Sequence, residues 1–154
     1  MVAPSVKTWY TFFEISMKLP ENTIVAAGPV ILENNKIVLV REIKKDGIES
    51  PFFMLPGGGY ETFDESFEAT CVREAQEELG INIEIIRPLR PLLVKRPDKD
   101  GFAILIHFLA QRISDIIPGK NIAEWGWFNI NALPENCTPS IRMVLDAYLN
   151  EKTL

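Results

Sequence analysis

The stretch PGGGYETFDESFEATCVREAQEELGI, residues 56–81, decides how this chain folds and what it can bind. Three consecutive glycines follow its first residue, and glycine allows a backbone to approach another group closely. A helix is predicted from about Ser66 to Leu79, with Asp64 or Ser66 as its N-terminal cap. Gly80 suits the left-handed cap that ends such a helix. The stretch therefore predicts a glycine loop that leads into a helix.

The acidic residues of the chain are concentrated in this stretch. It holds seven acids and one arginine, and so carries a charge of −6, whereas all 154 residues together carry −5. The rest of the chain sums to +1. Non-specific nucleic-acid binding is not expected, because it requires a basic face. A local concentration of carboxylates instead favours a bound cation.

Several of these acids share one side of the predicted helix. Residues three and four apart are neighbours on a helix, so Glu74 lies beside Glu77 and Glu78. Like charges repel there, and the helix dipole disfavours negative charge in the C-terminal half. A solvated acidic face is one interpretation. The glycine loop just upstream favours the other, a divalent cation held by the carboxylates, with Glu65 and Arg73 bracing the loop against the helix.

Strands flank this segment on both sides, and a second helix starts at Thr138. The predicted strands are Ile24–Leu32, Lys36–Glu42, Asn82–Ile86, Leu89–Val94, Phe102–Gln111 and Ile122–Phe128. Phe102–Gln111 is apolar on both alternating faces, which is typical of a central strand covered on both sides. The predicted fold is α/β (α+β), a mixed β-sheet sandwiched between α-helices.

One domain accounts for the whole length. The 154 residues are 47% hydrophobic and 24% charged, as in soluble globular proteins. We expect residues 1–154 to form a single domain, with residues 1–22 as an N-terminal extension or extra strand. No apolar run is long enough to span a bilayer, so no membrane partner is expected. Cys71 and Cys137 have no metal-binding spacing and predict reduced thiols in a cytoplasmic protein.

The spacing of the glycine, glutamate and arginine residues in this stretch resembles the box of the Nudix hydrolase family. That box is G-x5-E-x7-R-E-U-x-E-E-x-G-U, where U is aliphatic. In this chain it begins at Gly59, continues through Glu65 and Arg73, and ends at Ile81. All nine specified positions are met when Ala75 is counted as aliphatic. The resemblance extends more weakly from about residue 24 to most of the remaining chain.

The loop inside the box departs from the family pattern at two positions. Asp64 stands where many members carry glycine, just before the first glutamate of the box. Thr62 stands where many carry glutamate, and Glu61 lies one residue further upstream. We therefore expect the loop from Tyr60 to Asp64 to be remodelled, with the helix that follows unaffected.

The resemblance implies hydrolysis of a diphosphate linkage within a nucleotide, with Mg²⁺ as cofactor and Mn²⁺ as a possible substitute. The implied metal ligands are three carboxylates and a backbone carbonyl: Glu74, Glu77, Glu78, and Gly58 or Gly59. Arg73 and Glu65 are implied to orient these ligands. The base that deprotonates the attacking water is either Glu74 or Glu124.

Fewer positions bear on the substrate. Pro97 lies 16 residues beyond Ile81, roughly where ADP-ribose-cleaving members carry a proline. No tyrosine occurs between Tyr60 and Tyr148, which disfavours the dinucleoside polyphosphate subgroup. The favoured substrate is an ADP-ribose-like nucleoside diphosphate derivative. A nucleoside triphosphate pyrophosphohydrolase and a non-catalytic nucleotide-sensing module are the alternatives, and a homodimer is left open. The candidate substrate-binding residues are Phe53, Arg41, Arg96 and Pro97.

The single histidine of the chain is a further candidate. His107 falls within the apolar strand Phe102–Gln111. That setting favours a buried, hydrogen-bonded imidazole, and a ring that lines the substrate pocket is the alternative.

Overall fold

The computed structural model describes residues 19–96 and 100–152. Within them, seven strands and two helices follow in this order: β1 (Ile24–Glu33), β2 (Lys36–Glu42), β3 (Gly58–Gly59), α1 (Phe67–Leu79), β4 (Ile83–Pro88), β5 (Leu92–Lys95), β6 (Phe102–Arg112), β7 (Ile122–Asn129) and α2 (Pro139–Lys152). Residues 1–18, which hold most of the predicted N-terminal extension, and Pro97 lie outside the described residues.

The strands form one mixed sheet, as expected. Its order is β4-β6-β1-β2-β7, with β3 paired to β1 and β5 paired to β6. The β1 and β6 strands run parallel, in register from Ile24 opposite Ala103 to Ile31 opposite Ala110. The other named strand pairs are antiparallel. The prediction of a central strand at Phe102–Gln111 is confirmed, because β6 has neighbours on both sides.

The two helices cover opposite faces of this sheet. Successive side chains of a strand point to opposite faces. Accordingly, Val40 of β2 packs in one core cluster with Ala75 of α1. Its neighbour Leu39 packs in another with Ile141 of α2. The α1 helix and the α2 helix therefore define two sides of the molecule, and each site residue belongs to one of them.

The predicted caps position α1. The Ser66 hydroxyl accepts a hydrogen bond from the Ala69 amide at 3.0 Å, which makes Ser66 the N-terminal cap. Gly80 ends the helix in the left-handed conformation, with φ 62°. Glycine adopts that conformation without the steric cost that a side chain brings. Local sequence signals thus fix both ends of the helix that carries the carboxylates.

The turn between β1 and β2 also follows from its sequence. Asn34 and Asn35 have φ values of 50° and 61°. A two-residue hairpin turn of this hand needs positive φ at both positions, and asparagine tolerates it better than most residues do. The turn sets the register of β2, which carries Arg41 and Glu42 at its far end.

The structure bears on two expectations from the sequence, one about membrane-spanning segments and one about the two cysteines. Neither α1 nor α2 is long and apolar enough to cross a membrane. Cys71 and Cys137 are both free thiols, the first buried and the second half-buried. Burial raises the pKa of the Cys71 thiol to about 12, so that thiol is inert packing in α1.

Candidate active site

The glycine loop lies directly against the acidic side of α1. A Cβ atom added at Gly58 would collide with the carboxylate of Glu74. Gly57 has a φ of 147°, and a Cβ there would lie 2.7 Å from the Ala27 carbonyl oxygen. Gly57 therefore requires glycine for both space and conformation, whereas a side chain at Gly58 would force the Glu74 carboxylate to move. The loop brings backbone groups to the carboxylates, as the sequence predicts.

Glu78 is held between this loop and the end of β2. Its carboxylate accepts a hydrogen bond from the Gly57 amide at 2.9 Å. Burial, followed by the like charge of Glu42, raises the pKa of Glu78 to about 9. Sequence reasoning missed Glu42. Part of the signal was available, because Val38 and Val40 share the face that α1 covers and Glu42 follows Val40 by two residues at the end of β2.

Glu74 is the second buried carboxylate of the cluster. Only 8% of the residue is exposed, and burial raises the pKa of its carboxyl. The Arg73 Nη1 atom lies 2.7 Å from its Oε1 atom. Glu77 differs, since 58% of its side chain is exposed and its nearest cation is again Arg73, at 3.4 Å. The structure therefore brings Glu74 and Glu78 to the glycine loop and leaves Glu77 at the solvent edge.

The partner of Arg73 differs from the one expected. Its Nε and Nη2 atoms donate to the two carboxylate oxygens of Asp64, at 3.1 and 3.0 Å. Its Nη2 atom also donates to the Gly59 carbonyl at 2.9 Å. Glu65 is exposed. The predicted brace between Glu65 and Arg73 is therefore wrong, because the loop turns the buried Asp64 toward the guanidinium instead.

Asp64 is fixed from several directions. It accepts hydrogen bonds from the Thr70 hydroxyl at 2.9 Å and from the Glu61 amide at 3.0 Å. Hydrogen bonding from Arg73 is the main cause that lowers the pKa of Asp64 to about 2. An ionised Asp64 thus anchors Arg73, which in turn contacts Glu74 and the glycine loop. The last residue of the loop from Tyr60 to Asp64 is therefore fixed against α1, and the remodelling of this loop stays a prediction.

The chemistry of this cluster fits a divalent cation. Buried carboxylates with raised pKa values ionise readily only when a cation compensates them, and Arg73 is shared among Asp64, Glu74 and Glu77. Among residues 19–96 and 100–152, no three acidic, histidine or cysteine side chains converge closely enough to enclose an ion. Glu77 would have to turn inward to complete the set. Mg²⁺ tolerates an incomplete protein shell, because it keeps waters and binds substrate phosphates.

Glu124 is placed away from this cluster. It lies in β7, within the predicted strand Ile122–Phe128, opposite Arg41 of β2. The Arg41 Nη2 atom is 2.8 Å from its carboxylate. Arg41 follows Leu39 by two residues and lies over the Phe53 ring, so it is on the face of the sheet covered by α2. The structure does not bring Glu124 to Glu74 and Glu78, which argues against Glu124 as the catalytic base.

Two of the candidate substrate-binding residues, Phe53 and Arg41, make contacts within the protein. Phe53 is 6% exposed, and its ring centroid lies 4.7 Å from that of Phe128 within the core. Arg41 stacks over Phe53 at 5.7 Å and is committed to Glu124. A backbone bridge to Cys137 places Phe53 in the core, and substrate binding by Phe53 or Arg41 stays a prediction. Arg96 remains a candidate, since it lines a cavity beside the glycine loop.

That cavity has a volume of about 360 Å³ and lies on the α2 side of the sheet. Gly57 and Gly58 belong to its wall, and on their other side they contact Glu78 and Glu74. His107 lines the same cavity, so the prediction of a hydrogen-bonded core histidine is only half right. A substrate could place one part in the cavity and another against the carboxylates, with the glycine loop between them.

Comparison with known proteins gives this arrangement a context. The sequence model of the NUDIX domain matches residues 22–148. The ADP-ribose pyrophosphatase of Methanocaldococcus jannaschii is 34% identical over 116 residues, which cover 72% of this chain. The matched segment spans 64% of that relative's own length.

Solved structures share the fold. A MutT NUDIX hydrolase from Burkholderia pseudomallei superposes with a TM-score of 0.71 at 24% identity, over 82% of this chain and 98% of its own. A NUDIX hydrolase from Nitrosomonas europaea also gives a TM-score of 0.71, at 22% identity, over 85% of this chain and 91% of its own. At these identities the likeness establishes the architecture, and the mixed sheet between helices is confirmed.

Proposed function

The chain belongs to the Nudix family, and from that premise we propose that it hydrolyses the diphosphate linkage of a nucleoside diphosphate derivative. The observation that carries this proposal is the buried pair Glu74 and Glu78 packed against Gly57 and Gly58. Such a pair has no purpose in a helix selected for stability alone, because burial and like charge both oppose its ionisation. It suits a site that binds an anionic substrate through a cation.

Divalent metal ions are a general requirement of Nudix hydrolases, and we propose Mg²⁺ here, with Mn²⁺ able to replace it. The residues that would hold the ion are Glu74, Glu77, Glu78 and a carbonyl of Gly58 or Gly59. The Gly59 carbonyl already accepts a hydrogen bond from Arg73, which favours Gly58. Such an ion, when bound, neutralises phosphate charge and lowers the pKa of a coordinated water.

The protein groups around the carboxylates have separate tasks. Arg73 holds Glu74 in place and is itself held by Asp64. The Gly57 amide fixes Glu78. Glu74 or Glu124 would take the proton from the attacking water, and the ion pair between Glu124 and Arg41 favours Glu74. We propose these roles together with that of the exposed Glu77 as a metal ligand.

ADP-ribose is the best single candidate for the substrate. A relative that covers most of this chain carries the name ADP-ribose pyrophosphatase, which supports the choice. The cavity beside the glycine loop offers space for a nucleoside moiety, within the range of about 300–1,000 Å³ that ligand pockets occupy. The substrate would be a free small molecule. A homodimer and a cytoplasmic location remain predictions of the sequence.

A substrate panel tests the proposal. ADP-ribose, other nucleoside diphosphate sugars and nucleoside triphosphates would be incubated with the protein and either Mg²⁺ or Mn²⁺. We expect ADP-ribose to yield AMP and ribose 5-phosphate, and excess chelator to abolish the reaction. Faster release of pyrophosphate from nucleoside triphosphates would overturn the substrate choice. Tight nucleotide binding without turnover under all conditions would point instead to a sensing module.

A further inference from the structure

The cavity beside the glycine loop is built for an uncharged, flat group. Its floor is the α2 face of β1 and β6, which offers small or apolar side chains: Ala26, Ala103 and Leu105. Among residues 19–96 and 100–152, the cations that line it are at one end, where Lys95 and Arg96 follow one another at the end of β5. A floor of alanines on a sheet leaves room for a ring to lie flat. An anion would find no cation on this floor.

His107 is the exception on that apolar floor. It is 7% exposed, and its Nδ1 atom is buried without a hydrogen-bond partner among the described residues. Its backbone is satisfied, because its carbonyl accepts from the Leu89 amide at 2.9 Å and it pairs with β1 opposite Gly28. Only the ring therefore lacks a partner. A buried polar atom is normally paired, so the unpaired one of a side chain that lines a cavity requires an explanation, and a hydrogen bond to a bound ligand is one.

The imidazole is also uncharged in this setting. Burial lowers the pKa of His107 to about 4. A neutral imidazole carries one donor and one acceptor nitrogen, so Nδ1 can take either role toward a ligand. A neutral imidazole is suited to hydrogen-bond to an uncharged polar group of a ligand. A phosphate or carboxylate would be served better by the cations at the end of β5.

We propose that this cavity holds the base of the nucleoside and that His107 Nδ1 hydrogen-bonds to the edge of that base, which makes His107 a specificity-determining residue. The inference rests on the proposed function and extends it to the nucleoside half of the substrate. Gly57 and Gly58 form the wall between the cavity and the carboxylates. A base seated against β6 therefore leaves its diphosphate free to pass the loop toward Glu74 and Glu78.

The ring of His107 can be observed directly, because it is the only histidine of the chain. Untagged, ¹⁵N-labelled protein would be titrated in chelator with adenosine and, separately, with ribose 5-phosphate, and the imidazole ¹⁵N resonances followed. We expect adenosine to shift them saturably. Ribose 5-phosphate, which lacks a base, should leave them unchanged. Unshifted resonances with adenosine, or equal shifts with both compounds, would overturn the inference.

A matched pair of variants tests the hydrogen bond itself. His107→Phe keeps a flat ring and removes the polar atom, whereas His107→Gln keeps a hydrogen-bonding group. We expect the phenylalanine variant to bind adenosine about tenfold more weakly, the effect of one buried hydrogen bond, and the glutamine variant to retain more affinity. Circular dichroism would establish that both variants fold. Equal affinity in wild-type and phenylalanine proteins contradicts the role of Nδ1.

These measurements need neither metal nor turnover, so they separate the two proposals. If adenosine binds at His107 and no diphosphate is cleaved, the proposed function fails and the base pocket stands. If ADP-ribose is cleaved and adenosine does not perturb His107, the base pocket fails and the proposed function stands.

Discussion

Arg73 binds Asp64 through two arms of its guanidinium, at 3.1 and 3.0 Å, although the spacing of the family box assigns that role to Glu65. In the family box the first acid follows the glycine by six residues. Counted from Gly58 instead of Gly59, that acid is Asp64. The loop therefore holds one residue more between this acid and Arg73 than the family pattern prescribes. Asp64 is buried and Glu65 is exposed, so neighbouring acids have different functions.

Asp64→Asn and Glu65→Gln form a matched pair that tests this relationship. Asparagine removes the charge that anchors Arg73 and leaves the shape of the side chain intact. We expect kcat/KM to fall about 10- to 100-fold in Asp64→Asn, the usual effect of losing a partner that orients metal ligands. Glu65→Gln should behave like the wild type. If Glu65→Gln lost activity and Asp64→Asn kept the wild-type kcat/KM, Glu65 rather than Asp64 would be the residue that positions Arg73.

Gly58→Ala and Gly59→Ala form a second matched pair. A methyl group at Gly58 would meet the carboxylate of Glu74, whereas one at Gly59 would meet nothing within 4 Å. We expect Gly58→Ala to lose most of its activity and metal affinity, because Glu74 must move. Gly59→Ala should retain both properties. Metal titration by calorimetry would check this, and equal behaviour of the two variants would contradict the close packing of loop and helix.

Glu78→Gln should reduce turnover by orders of magnitude and yet stabilise the metal-free folded protein. The folded protein holds Glu78 protonated up to a pKa of about 9, whereas the unfolded chain releases that proton near the ordinary value of 4.5. The stability that this group contributes is thus fully present below pH 4.5 and is lost as the pH rises toward 9. Thermal melts in chelator should fall over that range for the wild type, and less steeply for Glu78→Gln. Parallel melting curves would refute the buried, protonated state.

Glu124→Gln should have a mild effect and Glu74→Gln a severe one. Glu124 is half-exposed and paired with Arg41, and exposed ion pairs contribute at most about 1 kcal/mol to stability. Steady-state kinetics on both variants, with metal affinity titrated separately, would check the expectation. A large loss of kcat in Glu124→Gln at normal metal affinity would make Glu124 the base after all.

The imidazole of His107 should titrate well below the usual range. Burial lowers its pKa to about 4, whereas the unfolded chain protonates near 6.5. The folded state therefore loses stability relative to the unfolded chain as the pH falls from about 6.5 toward 4. The chemical shift of the ring protons, followed against pH, gives the pKa directly. A midpoint near 6.5 would show that the ring is solvated.

Local signals explain why much of the fold could be predicted. Ser66 and Gly80 are strong cap residues, and they set the ends of α1 within one residue. Asn34 and Asn35 similarly mark the hairpin turn. Each of these features depends on a few adjacent residues, so a single sequence contains the information. The acidic side of α1 follows in the same way from helical spacing.

The features that the sequence does not reveal depend on distant contacts. Phe53 is buried because its backbone pairs with Cys137, a residue far along the chain. Arg41 is committed to Glu124, 83 residues away. The choice between Asp64 and Glu65 depends on the path of a loop, which a spacing rule does not describe. The cavity around His107 likewise joins β1, β6 and α2, so its unpaired nitrogen is invisible in the sequence.

The separation of the carboxylates and the cavity by one thin loop bears on how the substrate range of such a protein can evolve. The groups proposed for bond cleavage reside on α1, whereas the cavity is formed by β1, β6 and the start of α2 on the opposite face. Substitutions on the cavity side can alter which molecule is selected without disturbing the reacting centre. Selectivity and chemistry are thus free to diversify independently, and an inhibitor that spans the loop would have to satisfy both.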